Sequence, residues 1–494
     1  MEATSRNESR KSRISFPVLM AILFVMYLGY YFVNNWYQFR LLCRESCRLI
    51  EAQDLDKAME VTLKARNLNR RDPYTYVLSG IIWTWRHDDE KALEDYDKAI
   101  ALNARYLNAY CCRSKIYMKR GLFDLALRDA GEAIRLNPRN AGGYESRMHI
   151  NIRKGKLDEC LKDANQVVAL EPSRSESYHA RAYVYCCLDQ YDKALQDIDK
   201  ALGIARSPFY LSLKGTILSG RGDFVGALKA CNDALSISDK YSELYIDRGL
   251  VYYYTYDYEA ALRDFNKALE LHGENAANYS MRGLLYARTY RFNEALADLD
   301  RAIALDSRYA SAYSIRSMVY CYLGKAGKAL EDSKKAVDFV PDNSVALWYR
   351  GFALLYARDY RGAIEALDKS LKNCPLKYGS YSKRGVARAR LKNYRQALKD
   401  CESALGIEKK STLVLNDFGV VCTLKGDRKK AVEYFNGALK LDPLDAEVYK
   451  NRGDACFALK NTARAFRDWK KAGEIDSEGM IGKEARDSLR KHKK

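Results

Sequence analysis

Small and large apolar residues recur along this chain on two scales, a helical spacing of three to four and a longer period of 34. Residues 242–275 show both, reading SELYIDRGLVYYYTYDYEAALRDFNKALELHGEN. Counted from Ser242, small residues hold positions 8, 20 and 27 (Gly249, Ala261, Ala268), and large apolar ones hold positions 4, 11, 24 and 30 (Tyr245, Tyr252, Phe265, Leu271). A spacing of i, i+4, i+7 places side chains on one stripe of an α-helix. The pattern therefore predicts two helices per repeat, the first burying Tyr245, Gly249 and Tyr252, the second burying Ala261, Phe265 and Ala268. Small residues where they cross let the backbones come close enough for ridges to enter grooves.

The period continues in both directions, with repeats beginning at residues 39, 73, 107, 141, 175, 208, 242, 276, 310, 344, 378, 412 and 446, thirteen in all with one 33-residue step. Position 20 is Ala in every repeat except the fourth, which has Cys160, and position 27 is Ala except at Val167 and Ser370. Position 8 is Gly, Ser or Ala except at Met148, and position 4 is always Tyr or Leu.

This pattern resembles the tetratricopeptide repeat (TPR) family, whose unit is a helix–turn–helix of about 34 residues. The resemblance implies an all-α fold, a right-handed superhelix (α-solenoid) of about thirteen TPR repeats over residues 39–478. A solenoid grows by stacking, each repeat touching its neighbours, so one elongated domain is expected. On this reading the 12% aromatic content reflects inter-helix packing by Tyr at positions 4 and 11.

Residues 1–15 form a basic N-terminal tail, and residues 16–33, FPVLMAILFVMYLGYYFV, carry no charge. Eighteen apolar residues at about 1.5 Å each span about 27 Å, so one transmembrane signal-anchor helix is expected over 16–37, ahead of the repeats, and single-pass membrane localisation with it. No small-x-small cleavage site follows in NNWYQ. The basic residues before the span lean toward a cytosolic N-terminus with the repeats opposite; thirteen cysteines without metal-type spacing lean toward a reducing compartment for the repeats. The side is left open. In layout alone, the chain is similar to mitochondrial outer-membrane import receptors of the TPR family, which suggests a receptor for apolar targeting segments as one alternative. Nothing between residues 30 and 52 breaks a helix, so the anchor is expected to run into a degenerate first repeat, with Cys43 and Cys47 on buried helix positions. Residues 479–494 are read as a capping helix with a basic tail, Met480, Ile481, Ala485 and Leu489 forming its apolar face.

A second row runs through position 7, mostly Arg (Arg113, Arg147, Arg181, Arg248, Arg282, Arg316, Arg350, Arg384, Arg452), and position 23 is Asp in nine repeats. The two occur together in eight repeats, which predicts pairing within a repeat, for example Arg282 with Asp298. Arg beside buried helix faces is more often matched to a carboxylate than presented outward.

Net charge is +19, of which residues 1–38 contribute +2 and residues 479–494 contribute +4, and the remainder is spread over the repeats. A spread charge argues against nucleic acid, which calls for a concentrated basic face; binding to nucleic acid or an anionic surface through this charge stays as an alternative. The segments outside the repeats are too short to enclose an active site, and no phosphate-cradling loop, zincin motif or nucleophile elbow is present. The chain is read as no enzyme, without cofactor or metal. The titratable group Glu145, His149, Glu176 and His179 is read as polar lining.

In the TPR family the concave face is lined by first-helix positions 2, 5, 9 and 12. Here these carry an apolar row, Leu250, Leu284, Met318, Phe352 and Val386, with Trp348 and Leu355 beside it. The pattern of Lys and Asn with which some TPR domains clamp acidic chaperone tails is missing. The expected partners are other proteins or peptides, bound through an amphipathic helix or an extended apolar segment, with the membrane engaged through residues 16–37. The row serves equally to pack neighbouring first helices.

Overall fold

The computed structural model describes residues 16–375 and 377–492, with side chains from residue 33 onward. The described secondary structure is α-helical throughout, thirteen successive helix pairs followed by a helix over Met480–His492. The pair Ser242–Tyr254 and Tyr258–Leu271, of 13 and 14 residues, is typical. Between the two, Tyr256 adopts φ 64°, and Asp257 then caps the second helix by accepting from the Ala260 amide. Every repeat makes the same left-handed turn at position 15, five times with Gly and eight times without. The chain divides into two compact units, Met1–Ser146 and Arg147–Lys494, where one elongated domain was expected.

Position 8 works as anticipated. A Cβ on Gly249 would lie 2.6 Å from Phe265, and one on Gly453 would lie 2.7 Å from Trp469. The small residue of the first helix thus receives the large position-24 side chain of the second, and Ala261 and Ala268 are fully buried beside it.

The first-helix stripe differs from the expectation. Tyr245 and Tyr252 are only half-buried, whereas Leu244 and Val251 are 1% exposed. From the second repeat on, position 10 is the buried apolar position, as at Ile82, Ile116, Ile150, Val184 and Ile217. The tyrosines instead flank position 7. Arg248 lies 5.7 Å from the Tyr245 ring centroid and 5.9 Å from that of Tyr252, within cation–π range. The same sandwich recurs at Arg113, Arg181, Arg282 and Arg316.

Those arginines make the predicted ladder. Arg282 donates from Nε and Nη2 to both carboxylate oxygens of Asp298, at 2.7 and 2.8 Å. All eight repeats that carry both residues repeat this fork. A feature that the sequence reading missed is the third donor: Arg282 Nη1 reaches Asn266 of the preceding repeat at 2.9 Å, and Arg316 Nη1 reaches Asp300 at 2.6 Å. Seven of these arginines, Arg113, Arg181, Arg248, Arg282, Arg316, Arg384 and Arg452, thus fasten their own two helices and also the repeat before them. Arg350, whose repeat has Ala366 in place of Asp, turns instead to the Leu330 carbonyl and Ser333.

The expected transmembrane signal-anchor and single-pass membrane localisation need correction. Among the described residues no helix is long and apolar enough to cross a membrane. Phe16–Glu51 is one continuous helix of 36 residues, and from Phe39 on it is the first helix of the first repeat. Arg40, Arg44, Glu45 and Arg48 make the described part of this helix polar, while Phe39 and Cys43 pack with Ala65 and Leu78 of the next two helices. The basic tail 1–15 and the side chains of the apolar stretch lie outside the described residues.

Candidate functional site

Unit 2 does not consist of neighbour contacts alone. The interhelical turns of its earlier repeats meet the starts of first helices several repeats later. Tyr258 donates to Asp442 at 2.6 Å across 184 residues of sequence, and the Cys374 thiol donates to Asp189 at 3.2 Å across 185. Arg288 anchors this seam, donating to Asp442 at 2.5 Å, Asp445 at 3.1 Å and Thr412 at 3.2 Å. Burial opposes the charge on Arg288; Asp445, Tyr258 and Asp442 outweigh it and hold the guanidinium above its ordinary range. The Thr412 amide donates to the Tyr256 hydroxyl, and the Glu447 amide to that of Tyr290. This explains why two bulky residues hold the left-handed turn position: their rings leave the turn toward the seam.

The seam and the inner helix faces enclose a cavity of about 930 Å³. Eight tyrosines line it, among them Tyr183, Tyr253, Tyr254 and Tyr322. Six acidic residues (Asp189, Asp247, Asp342, Glu408, Asp445, Glu447) face three basic ones (Arg288, Lys377, Lys410), an excess of three negative charges in a chain of net charge +19. Asp247 accepts from the Ser212 hydroxyl at 2.5 Å; burial raises its pKa to about 6. Burial likewise raises Glu447, with Lys383 opposing, but Lys383 itself is engaged by Asp417 at 2.9 Å.

Of the seven residues expected on the concave face, the cavity gathers three, Leu250, Met318 and Trp348. Leu284, Met318, Trp348 and Phe352 share a packed cluster centred on Phe292 and Val319, and Phe352 is 2% exposed. Leu355 and Val386 pack in the next cluster, with Phe418. The row thus contributes largely to packing between first helices, and the polar and tyrosine wall escaped the sequence reading. A signal existed: Tyr253, Tyr254, Tyr256, Tyr258 and Tyr290 crowd around turns in which the repeat needs none of them.

His179 stacks on Tyr210 with centroids 4.9 Å apart, and burial lowers its pKa. Among the described residues no group of three or more His, Cys, Asp or Glu is placed to hold a metal ion. The thirteen cysteines are free, and burial pushes thiols such as Cys160 and Cys231 up to about 12, away from the thiolate that chemistry requires.

The tetratricopeptide repeat family model matches residues 350–411 and 425–475. No curated protein matches the chain. Among solved structures, the APC/C hetero-tetramer Cut9-Hcn1 is similar over 93% of this chain and 97% of that one, at 14% identity and a TM-score of 0.53. A tetratricopeptide repeat protein from Parabacteroides merdae is similar over 50% of this chain and 98% of that one, at 19% identity and a TM-score of 0.43. Residues 350–411 and 425–475 are therefore tetratricopeptide repeats, within an all-α helical-repeat fold shared with the Cut9-Hcn1 assembly.

Proposed function

We propose that this chain is a non-enzymatic scaffold that binds an extended segment of another protein in the cavity of unit 2. The carrying observation is the cavity itself. Its volume of about 930 Å³ falls in the range of about 300–1,000 Å³ that buries ligands well, and its wall mixes apolar anchors with polar groups. Leu250, Met318 and Trp348 are the anchors for apolar side chains. An extended segment presents alternate side chains to opposite walls while its backbone hydrogen-bonds, which suits a cavity lined by residues of many repeats. The tetratricopeptide repeats and the helical-repeat fold support a role in protein interaction.

The test is a displayed library of nine-residue peptides selected against the full chain and against a Ser219→Trp variant, which fills the cavity. Specific sequences should be enriched by the parent and bind the variant at least tenfold more weakly. Equal enrichment on both would remove the cavity from the function.

A further inference from the structure

The cavity wall is acidic in a basic protein, and its two key carboxylates lack a counter-ion. Asp247 takes one hydrogen bond from Ser212, and the Glu447 side chain makes no hydrogen bond or ion pair among the described residues. Nearby cations are committed elsewhere: Arg288 to Asp442 and Asp445, Lys383 to Asp417. Of the other basic groups in the wall, Lys410 is exposed and Lys377 half-buried, and the opposition that Lys383 and Arg288 offer at Glu447 does not offset its burial. A desolvated carboxylate without a cation is unfavourable, and a ligand that brings one relieves it. Tyrosine rings attract cations within about 6 Å of their centroids, and Tyr253, Tyr254 and Tyr322 line the same space.

We infer that the bound segment is cationic, its lysine or arginine side chains seated against the cavity tyrosines and neutralised by Asp247 and Glu447. The inference rests on the scaffold reading above and specifies its ligand. Asp247 lies in the first helix of the seventh repeat and Glu447 in that of the thirteenth, so the two neutralise separate side chains along one extended segment.

The experiment uses the full chain and fluorescence anisotropy with a nine-residue peptide alternating Lys or Arg with Leu and Ser, beside a twin in which acetyl-lysine and citrulline replace the charged residues. The cationic peptide should bind at one site and at least tenfold tighter than the twin. Glu447→Gln and Asp247→Asn should each weaken it about fivefold and together about thirtyfold, leaving the twin unchanged, while Glu259→Gln on the exposed surface should do nothing. Circular dichroism confirms that the variants fold; should either fail, the cationic peptide carrying a benzophenone is photo-crosslinked to the unaltered protein, and adducts must fall on cavity residues such as Met318 or Tyr322. Equal binding of peptide and twin overturns the inference and leaves the scaffold reading standing. No binding by either overturns both. Binding of spermine without the peptide, an equal effect of Glu259→Gln, or adducts confined to the outer surface also overturns it.

Discussion

Units 1 and 2 are built from the same repeat, yet only one of them, among the described residues, is held by contacts between distant repeats. In unit 1 the fastenings are local: Arg113 grips Asp129 of its own repeat and Asp97 of the one before. The second repeat, which lacks the arginine, recruits Arg66 from the preceding repeat to Ser79 and the Thr75 carbonyl. Unit 2 has the same ladder and adds the seam, where Arg288, Tyr256, Tyr258 and Tyr290 reach residues more than a hundred positions away. The difference teaches that a repeat protein can depart from nearest-neighbour stacking through a few substitutions at its turns, without altering the repeat.

The largest effect should come from Arg288→Ala, which strands Asp442 and Asp445 in the seam. Breaking a buried ion pair from one side costs about 3–5 kcal/mol. Hydrogen exchange should accelerate both around residues 256–292 and around 412–447, with the helices of unit 1 unaffected. Acceleration near residue 288 alone would mean that the seam couples nothing.

Next in size are the ladder variants Arg113→Ala and Arg282→Ala, each leaving a buried aspartate without its fork, at a cost of about 2 kcal/mol. Urea unfolding should show similar losses in the two units. A loss at Arg282 twice that at Arg113 would mean that the ladder and the seam are not independent.

Asp247 supplies a pH test confined to unit 2. Its pKa is raised from 3.8 to about 6, so the folded state holds the proton more tightly than the unfolded one. The stabilisation is present below about pH 4 and is lost as pH rises through about 6. A shift of this size corresponds to about 1.4 kcal/mol per unit, reduced to about 1–2 kcal/mol in total because the carboxylate faces the cavity. Asp247→Asn should flatten the dependence of the unfolding midpoint on pH across that window; an unchanged slope would place the carboxylate in ordinary solvent.

The smallest effect belongs to the turn that both units share. Lys392 is exposed at φ 63°, and Lys392→Gly should stabilise by about 0.5 kcal/mol, relief of left-handed strain exceeding the added freedom of the unfolded chain. The same change at Tyr290 should instead destabilise, since its hydroxyl serves Asp445 and the Glu447 amide. Matching signs at the two positions would remove the distinction between ordinary and seam turns.

Much of the local architecture was legible. The period of 34, the small residues at positions 8, 20 and 27 and the co-occurring Arg and Asp are all properties of one repeat or its neighbour. The buried stripe was displaced because Tyr is large and amphipathic: at positions 4 and 11 it reads as core, yet it covers the Arg and leaves burial to Val251 and its equivalents. The candidate site was far less legible. Met318 and Trp348 were recognisable as inner-face residues, but Asp247 and Glu447 lie 200 positions apart, and nothing in the spacing links them.

By itself the sequence determined the helical hairpin, its length, its close crossing and its charge ladder, because each depends on side chains within about 34 residues of one another, where helical geometry fixes who meets whom. Only the tertiary structure decided that the turns of unit 2 close onto later repeats, that a chain of net positive charge encloses an acidic, tyrosine-lined cavity, and that most of the apolar row is spent on packing. Those outcomes depend on the small rotation between successive repeats, which accumulates over five of them and which no single repeat encodes in a readable way.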